Sequence, residues 1–245
     1  VANAPAFELD PVLATAASLE PIVLRTSRRL GWADARTLGL RVPELVVVQV
    51  DPEMSRAEPD EEVQDLLRAS AGTNLGVDYL PGSLAVEPAA DEVDPTDAAK
   101  VERIDAFIQN VDRSWRNPNL LTWHRQMWLI DHGAALYFAH NWAGRASAAA
   151  KPYAQITEHV LLPSAGSLLE ADSRLAPLVT ASALDEAVRA VPDEWLADEP
   201  GFESADAVRQ AYLDVLGARL ASRDPWVPAL EVARATVAAI GADRV

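Results

Sequence analysis

The sequence predicts an α+β fold with a small mixed N-terminal part and a mainly helical C-terminal part. Residues 43–50, PELVVVQV, form the β-branched run typical of a strand, and Asp51 and Pro52 end it. Beyond Pro163, apolar residues recur at helical intervals in almost every segment. A mixed N-terminal part followed by a run of helices is typical of the α+β class.

The elements that follow the first strand are predicted from local patterns. Apolar spacing indicates a short helix over 61–69, and the glycines and proline of residues 72–82 indicate a turn-rich connection. After an acidic loop over 87–97, a helix is expected from about Thr96, as its N-cap, to Gln109.

A hairpin and then a series of helices complete the predicted order. Strands are expected at 120–123 and 127–130, joined by a turn at 124–126. Trp195 and Trp226 lie beside prolines at helix edges and are predicted to be core anchors. The C-terminal helices are predicted near 167–176, 181–191, 203–222 and 226–240.

Composition excludes several classes of protein. The 245 residues are 49% hydrophobic and 24% charged, which is ordinary for a globular protein, and no apolar run approaches the roughly 18–20 residues of a membrane span. There is no cysteine, so disulfides, thiolate catalysis and cysteine-based zinc sites are excluded. The N-terminus lacks the basic region of a secretory signal, and we therefore expect a cytoplasmic protein.

The net charge of -16 is distributed unevenly. Residues 51–105 carry 15 acidic and 4 basic side chains, whereas residues 106–159 carry 3 acidic and 5 basic ones. The overall charge repels phosphate backbones, so nucleic-acid binding is not expected. An anionic small ligand would be repelled least by residues 106–159, although a segment that is simply poor in charges would show the same balance.

The strongest motif for chemistry combines Asp112, Asn117 five residues later, and Asp131 at the end of an apolar strand before Gly133. Phosphoryl transfer needs one carboxylate at the acceptor hydroxyl, and an Asn and an Asp to hold magnesium against nucleotide phosphates. The order of loop, hairpin and Asp would bring the three side chains to one cleft. The spacing alone also fits a polar turn between a helix and a hairpin.

The longer segments that contain this motif, and several segments around them, resemble the HipA-like kinase domain of actinobacterial type. The resemblance is carried first by NVDRSWRNPNLL at 110–121 and WLIDHGAALYF at 128–138. The further segments are GLRVPE at 39–44, NLGVDYLPG at 74–82, EHVLLP at 158–163 and VPDEWL at 191–196. These segments keep their order and extend over about residues 38–240.

The resemblance implies a protein-kinase-like fold that binds ATP and magnesium in a cleft between two lobes. It implies that Asp112 is the catalytic Asp, that Asn117 is a metal ligand, and that Asp131 is the main metal ligand. His132 stands where better-known protein kinases have Phe. The phosphate acceptor would be a hydroxyl on a protein or a small molecule.

The resemblance also implies a connection between lobes that borders the adenine. Segment 74–82 is the candidate, with Asp78, Tyr79 and Leu80 as nucleotide contacts. The implied domains are an atypical N-terminal segment at 1–37, the rest of the N-lobe with the interlobe connection at 38–86, and the C-terminal catalytic lobe at 87–245.

The phosphate-binding lysine is where this sequence departs from the family. The family has a Val-Lys strand before the Gly-Leu-x-Val-Pro segment, but the lysines here are Lys100 and Lys151, both downstream. Residues 1–37 also hold a single glycine, Gly31, and so contain no Gly-rich phosphate loop. A shifted reading frame, a truncated chain or a natural pseudokinase would each explain this. The alternative to an active kinase is thus a catalytically inactive kinase-fold binding module.

Arginines are the remaining cations that could approach a phosphate in the N-terminal segment. Arg25, Arg28 and Arg29 are candidates, although guanidinium and ammonium groups are not interchangeable at such a site.

Other patterns have simpler interpretations. His124, His132 and His140 recur every eight residues, but a hairpin and a turn do not bring three imidazoles with that spacing together, so no metal–histidine centre is predicted. Ser167 near His159 lacks the Gly-x-Ser-x-Gly elbow of a hydrolase and is predicted to be a helix N-cap. Aromatic packing is expected around Trp123, Trp128, Tyr137 and Trp142.

Overall fold

The structure is a computed structural model, and the residues it describes are 33, 35–36, 38–87, 91–197 and 199–242. The predicted Arg25, Arg28, Arg29 and Gly31 lie outside these residues. The chain divides into two compact units. The described part of the first unit is Glu44–Asp78, and the second unit contains the described residues on either side of it.

The first unit is a pair of antiparallel strands with helices between them. Strand β1 (Leu45–Val50) pairs with β2 (Gly72–Val77) along its whole length. A 3-10 helix (Pro52–Ala57) and helix α1 (Glu61–Ala69) connect the strands. The Asp60 carboxylate caps α1 by accepting from the first free backbone N–H groups, which confirms the helix predicted at 61–69.

The prediction of a turn-rich connection at 72–82 is wrong for its first half, which is strand β2. Gly76 shows why glycine misled the prediction. A Cβ atom at this position would lie 2.7 Å from a Val48 methyl and 2.8 Å from a Val46 methyl. The glycine therefore permits a close approach between paired strands and does not mark a turn.

The second unit contains a three-stranded antiparallel sheet in the order β3-β4-β5. The strands are β3 (Leu84–Ala85), β4 (Leu120–Trp123) and β5 (Gln126–Leu129). The hairpin between β4 and β5 is confirmed, but its turn has two residues and not three. His124 and Arg125 have φ angles of 49° and 62°, as expected for the tight turn that matches the twist of the strands.

Helix α2 (Pro95–Ile108) lies at the centre of the second unit and most of its residues are buried. Its N-cap is Asp94, not the predicted Thr96, because the Asp94 carboxylate accepts from the Thr96 and Asp97 N–H groups. The following Pro95 occupies the first helical position, where its missing N–H costs nothing. The helix ends at Gln109, whose left-handed backbone stops further helical bonding.

The remainder of the second unit is helical, as the sequence predicts. Ser167 caps a helix by accepting from the Glu170 N–H, and Trp195 and Trp226 are buried in the core, so these predictions are confirmed. None of the described helices has the length and apolarity required to cross a bilayer. The helices are α3 (Arg145–Ala148), α4 (Leu168–Leu175), α5 (Ala181–Arg189), α6 (Ala205–Ala221) and α7 (Val227–Ala242). Short 3-10 helices lie at Tyr137–Gly144, Ala154–Glu158, Leu162–Ser164, Ala176–Leu178 and Asp193–Trp195. The predicted α+β class with a mainly helical C-terminal part is confirmed.

Candidate functional site

Two adjoining segments carry the three residues predicted for chemistry. The Val111 N–H donates to the Ala134 carbonyl at 3.3 Å, and the Ile130 N–H donates to the Asn119 carbonyl at 3.1 Å. The segment with Asp112 and Asn117 is therefore bonded at both ends to the segment that carries Asp131.

Asp112 and Asn117 contact each other directly. The Asn117 Nδ2 group donates to Asp112 Oδ2 at 2.6 Å, and both side chains are partly exposed. The bond fixes which end of the Asn117 amide faces Asp112, and Oδ1 is then the atom of Asn117 that can bind a cation. The Ser114 N–H and the Asn117 carbonyl, 3.1 Å apart, close the loop between the two residues.

Asp131 stands in a tight turn directly after β5. Its backbone has a φ of 48°, a left-handed conformation that Asp tolerates better than most residues. The Gly133 N–H donates to Asp131 Oδ1 at 3.0 Å, so the turn itself orients the carboxylate. This is the geometry of an Asx turn.

The buried Arg113 guanidinium links the segment of Asp112 and Asn117 to the segment of Asp131. Its NH1 group donates to the Asn119 carbonyl at 2.5 Å and lies 3.5 Å from the Ile130 carbonyl. Its NH2 group lies 3.3 Å from His132 Nε2. A single planar cation thus contacts the backbone on both sides of the site, a role that the fixed fork of Arg suits.

Asp105 on helix α2 balances the charge of Arg113. Its fully buried carboxylate accepts from Arg113 Nε at 2.5 Å, from Asn110 Nδ2 at 3.0 Å and from His159 Nε2 at 3.0 Å. Burial by itself would raise the pKa of Asp105, but Arg113 and His159 outweigh it and hold this pKa well below its usual range. The carboxylate is therefore ionised at neutral pH.

His159 lies between two buried carboxyl groups. Burial would lower the pKa of His159, but the bond to Asp105 and the nearby Glu102, with Oε1 3.5 Å from Nδ1, raise it. Burial also raises the pKa of Glu102, whose oxygens have no hydrogen-bond partner among the described residues. We call Glu102, Asp105, Arg113, His132 and His159 the buried ion cluster. Tyr153 fastens a further segment to its edge by donating to the Asn110 carbonyl at 2.6 Å.

The sequence did not single out the buried ion cluster. Asp105 and His159 are 54 positions apart, so no local spacing connects them. A signal was nevertheless present: Glu102, Arg103 and Asp105 interrupt the apolar residues of a helix that is otherwise buried. Charged residues on the inner face of such a helix indicate ion pairing inside the core.

The three histidines of the eight-residue repeat have separate surroundings. His132 is buried against Arg113, His140 lies 5.0 Å from the Tyr137 ring, and His124 lies 4.3 Å from the ring of Trp123. Within the described ranges, no three His, Asp or Glu side chains are clustered as a metal site would require. The predicted aromatic packing is confirmed for the Trp123 and Trp128 rings, whose centroids are 5.2 Å apart.

The predicted nucleotide contacts follow strand β2. The Asp78 N–H donates to the Glu44 carbonyl at 2.8 Å and extends the pairing of the first unit. Tyr79 is 63% exposed and Leu80 is buried. The Leu80 side chain therefore belongs to the core, and at this position its backbone is what a ligand could contact.

Comparison with known families identifies the family to which the chain belongs. A family model described as HipA-like kinase matches residues 32–227, which include all three candidate residues and the buried ion cluster. No curated protein and no solved structure gave a significant match.

Proposed function

Because the chain belongs to the HipA-like kinase family, we propose that it transfers the γ-phosphate of magnesium-ATP to a hydroxyl acceptor. The observation that carries this proposal is the pairing of segments 111–119 and 130–134, which brings Asp112, Asn117 and Asp131 to one region. A base, an amide and a metal-binding carboxylate are the groups that a kinase site requires.

The proposed site offers the types of oxygen ligand that a magnesium ion binds. Mg²⁺ prefers oxygen ligands and is usually bound through one or two carboxylates together with substrate phosphates. Asp131 supplies a carboxylate oriented by Gly133, and Asn117 supplies an amide oxygen. When bound, the ion would neutralise charge on the phosphates as the transferred group moves.

Under this proposal, Asp112 accepts the proton of the acceptor hydroxyl. In the proposed reaction the acceptor oxygen forms a bond to the γ-phosphorus, the bond to the β–γ bridging oxygen breaks, and ADP leaves with that electron pair. The hydroxyl proton passes to Asp112. The hydrogen bond from Asn117 orients the Asp112 carboxylate for this role.

Asp131→Asn tests the metal role. Asparagine keeps the shape of the side chain but removes the anion that holds a hard cation, so magnesium-dependent ATP binding should weaken by about tenfold or more. Calorimetry of the full chain with magnesium-ATP measures the effect. Asp185→Asn is the matched control, because Asp185 is a partly exposed residue of α5 that pairs only with Arg189 among the described residues. Equal affinity of the two variants would show that Asp131 does not bind the metal.

An inactive kinase-fold binding module is the second candidate, and the positions of the two lysines favour it. Lys100 pairs with Asp97 at 2.9 Å. Both lysines follow segment 39–44 in the sequence, whereas the resemblance to the family implies a phosphate-binding lysine before that segment. Under this alternative, the chain would fold but bind magnesium-ATP weakly and transfer no phosphate. A thermal-shift assay with ATP, with magnesium and with both separates the candidates, since tight binding raises the unfolding temperature by several degrees.

A further inference from the structure

A cavity of about 410 Å³ adjoins the proposed site, and Gln109 and Val111 form part of its wall. Val111 immediately precedes Asp112, so its Cα lies about 3.8 Å from that of Asp112. The second part of its wall comes from the segments around Tyr137 and Lys151. Cavities of this size hold small organic molecules and not folded protein segments.

The cavity is electrostatically unlike the rest of the protein. The chain contains 37 Asp and Glu residues, but none of them is among the described residues that line the cavity. Lys151 and His140 do line it. Lys100, the other lysine of the chain, is paired with Asp97, whereas the Lys151 ammonium has no carboxylate partner among the described ion pairs. A cation in an acid-free cavity of an acidic protein attracts an anionic ligand.

The neutral lining residues suit hydroxyl groups. Asn141 and Gln155 each offer an amide donor and an amide acceptor, the combination that a ligand with several hydroxyls requires. Tyr137 and Phe138 supply apolar surface beside these amides. A few polar groups on a mainly apolar wall are typical of small-molecule sites.

The walls of the cavity are held in place by buried groups. Arg219 on α6 is 1% exposed and donates to the carbonyls of Ala149 at 3.0 Å and Lys151 at 2.8 Å. Gln109 Nε2 donates to the Ala148 carbonyl at 2.9 Å, which joins the two walls. Burial lowers the pKa of Arg219 to about 10, so the guanidinium stays charged at neutral pH. The backbone that presents Lys151 is therefore fixed before a ligand arrives.

We propose that this cavity binds the phosphate acceptor, and that the acceptor is a small polyhydroxylated compound with a carboxylate or phosphate group. The inference rests on the proposed kinase function for the role of the ligand, but the binding itself does not require nucleotide. Lys151 pairs with the anionic group, and the amides of Asn141 and Gln155 bind hydroxyls. One further hydroxyl extends past Val111, beyond the lining of the cavity, toward Asp112. Because the chain has two lysines, a signal from Lys151 can be resolved and followed as the ligand binds.

The experiment is NMR spectroscopy of the full chain with ¹³C-labelled lysine, without nucleotide or magnesium. Its two lysine Cε signals are assigned with Lys151→Gln and Lys100→Gln. The probes are glucose 6-phosphate, gluconate, uncharged glucose and inorganic phosphate. We expect a saturable shift of the Lys151 signal, with no shift of Lys100, for glucose 6-phosphate or gluconate. Which of the two binds more tightly identifies the anionic group.

Calorimetry gives the matching affinities. Loss of a charge-assisted hydrogen bond should make Lys151→Gln bind the preferred probe about tenfold more weakly, while Lys100→Gln is unchanged. Glucose and inorganic phosphate should each bind at least about tenfold more weakly than that probe. The proposal is overturned if the Lys151 signal does not move, if both lysines move together, or if inorganic phosphate binds as tightly. Preference for a serine-containing peptide over the sugars would assign the site to a protein acceptor instead.

Asp131→Asn separates this inference from the proposed function. The variant should retain binding of the sugar probe while it binds magnesium-ATP about tenfold more weakly or worse. Sugar binding in a wild-type protein that does not bind magnesium-ATP would preserve the cavity assignment and contradict the kinase. Magnesium-ATP binding without sugar binding would preserve the proposed kinase function and contradict the cavity assignment.

Discussion

The candidate site and the buried ion cluster share one stretch of chain but have opposite surroundings. Asp105 and Arg113 are 0% and 2% exposed, whereas Asp112, between them in sequence, is partly open to solvent. In the cluster each charge is balanced by another, and removal of one partner leaves the other unpaired in the core. In the site the charged groups are partly exposed, so a ligand can reach them. We therefore expect cluster residues to determine stability and site residues to determine chemistry.

The largest expected effect is that of Arg113→Met. It leaves the Asp105 carboxylate buried without its guanidinium partner and should lower the free energy of unfolding by about 3–5 kcal/mol. Urea unfolding followed by tryptophan fluorescence measures this loss. Arg174→Met is the matched control, because it breaks an exposed ion pair with Glu170 on α4.

The double variant Asp105→Asn with Arg113→Met tests whether the unpaired Asp105 carboxylate causes this loss of stability. It removes both opposite charges and should recover part of the stability that Arg113→Met loses, since no unpaired carboxylate remains. If Arg113→Met destabilises the protein no more than Arg174→Met does, the cluster does not support the fold in the way described.

A smaller effect, of a different kind, is expected for Asp112→Ala. A group that accepts a proton in the transition state contributes little to ground-state binding, so turnover should fall by roughly 10²-fold while nucleotide affinity changes little. Steady-state phosphotransfer and calorimetry on the same preparation test both parts. Lost affinity with unchanged turnover would contradict the assigned role, as would destabilisation comparable to that of Arg113→Met.

The smallest effect is a pH dependence of stability that arises in the cluster. The pKa values of His159 and Glu102 are raised in the folded protein, so the native state binds more protons than the unfolded state does. The stabilisation from His159 is fully present below its unfolded pKa of about 6.5 and is lost as pH rises through its folded pKa. For Glu102 the loss begins above about pH 4.3. Asp105 acts in the opposite sense: its lowered pKa contributes stability above about pH 3.9 that is lost in acid.

Glu102→Gln isolates one part of this dependence. Glutamine cannot ionise, so the decline in unfolding free energy above about pH 4.3 should become shallower, by at most about 1.4 kcal/mol per pH unit. Urea titrations at several pH values measure the slope, with Glu170→Gln as the exposed control. An unchanged slope would show that Glu102 does not titrate with folding.

The sequence by itself determined the features that depend on neighbouring residues. Helical spacing predicted most of the C-terminal helices, the serine hydroxyl at position 167 predicted a cap, and five-residue spacing predicted that Asp112 and Asn117 act together. Their direct hydrogen bond is a contact within one loop, which local sequence can specify. The order of motifs predicted the family, because it preserves spacing over most of the chain.

Tertiary structure decided what depends on residues distant in sequence. Strand β2 resembles a turn on its own, and its pairing with β1 makes it a strand. The cluster at Asp105 joins residues from α2, the motif loop and position 159, and the cavity at Lys151 depends on Arg219 from α6. Charged residues inside a core are stable only with partners, and those partners are provided by packing of the whole chain and not by local propensity.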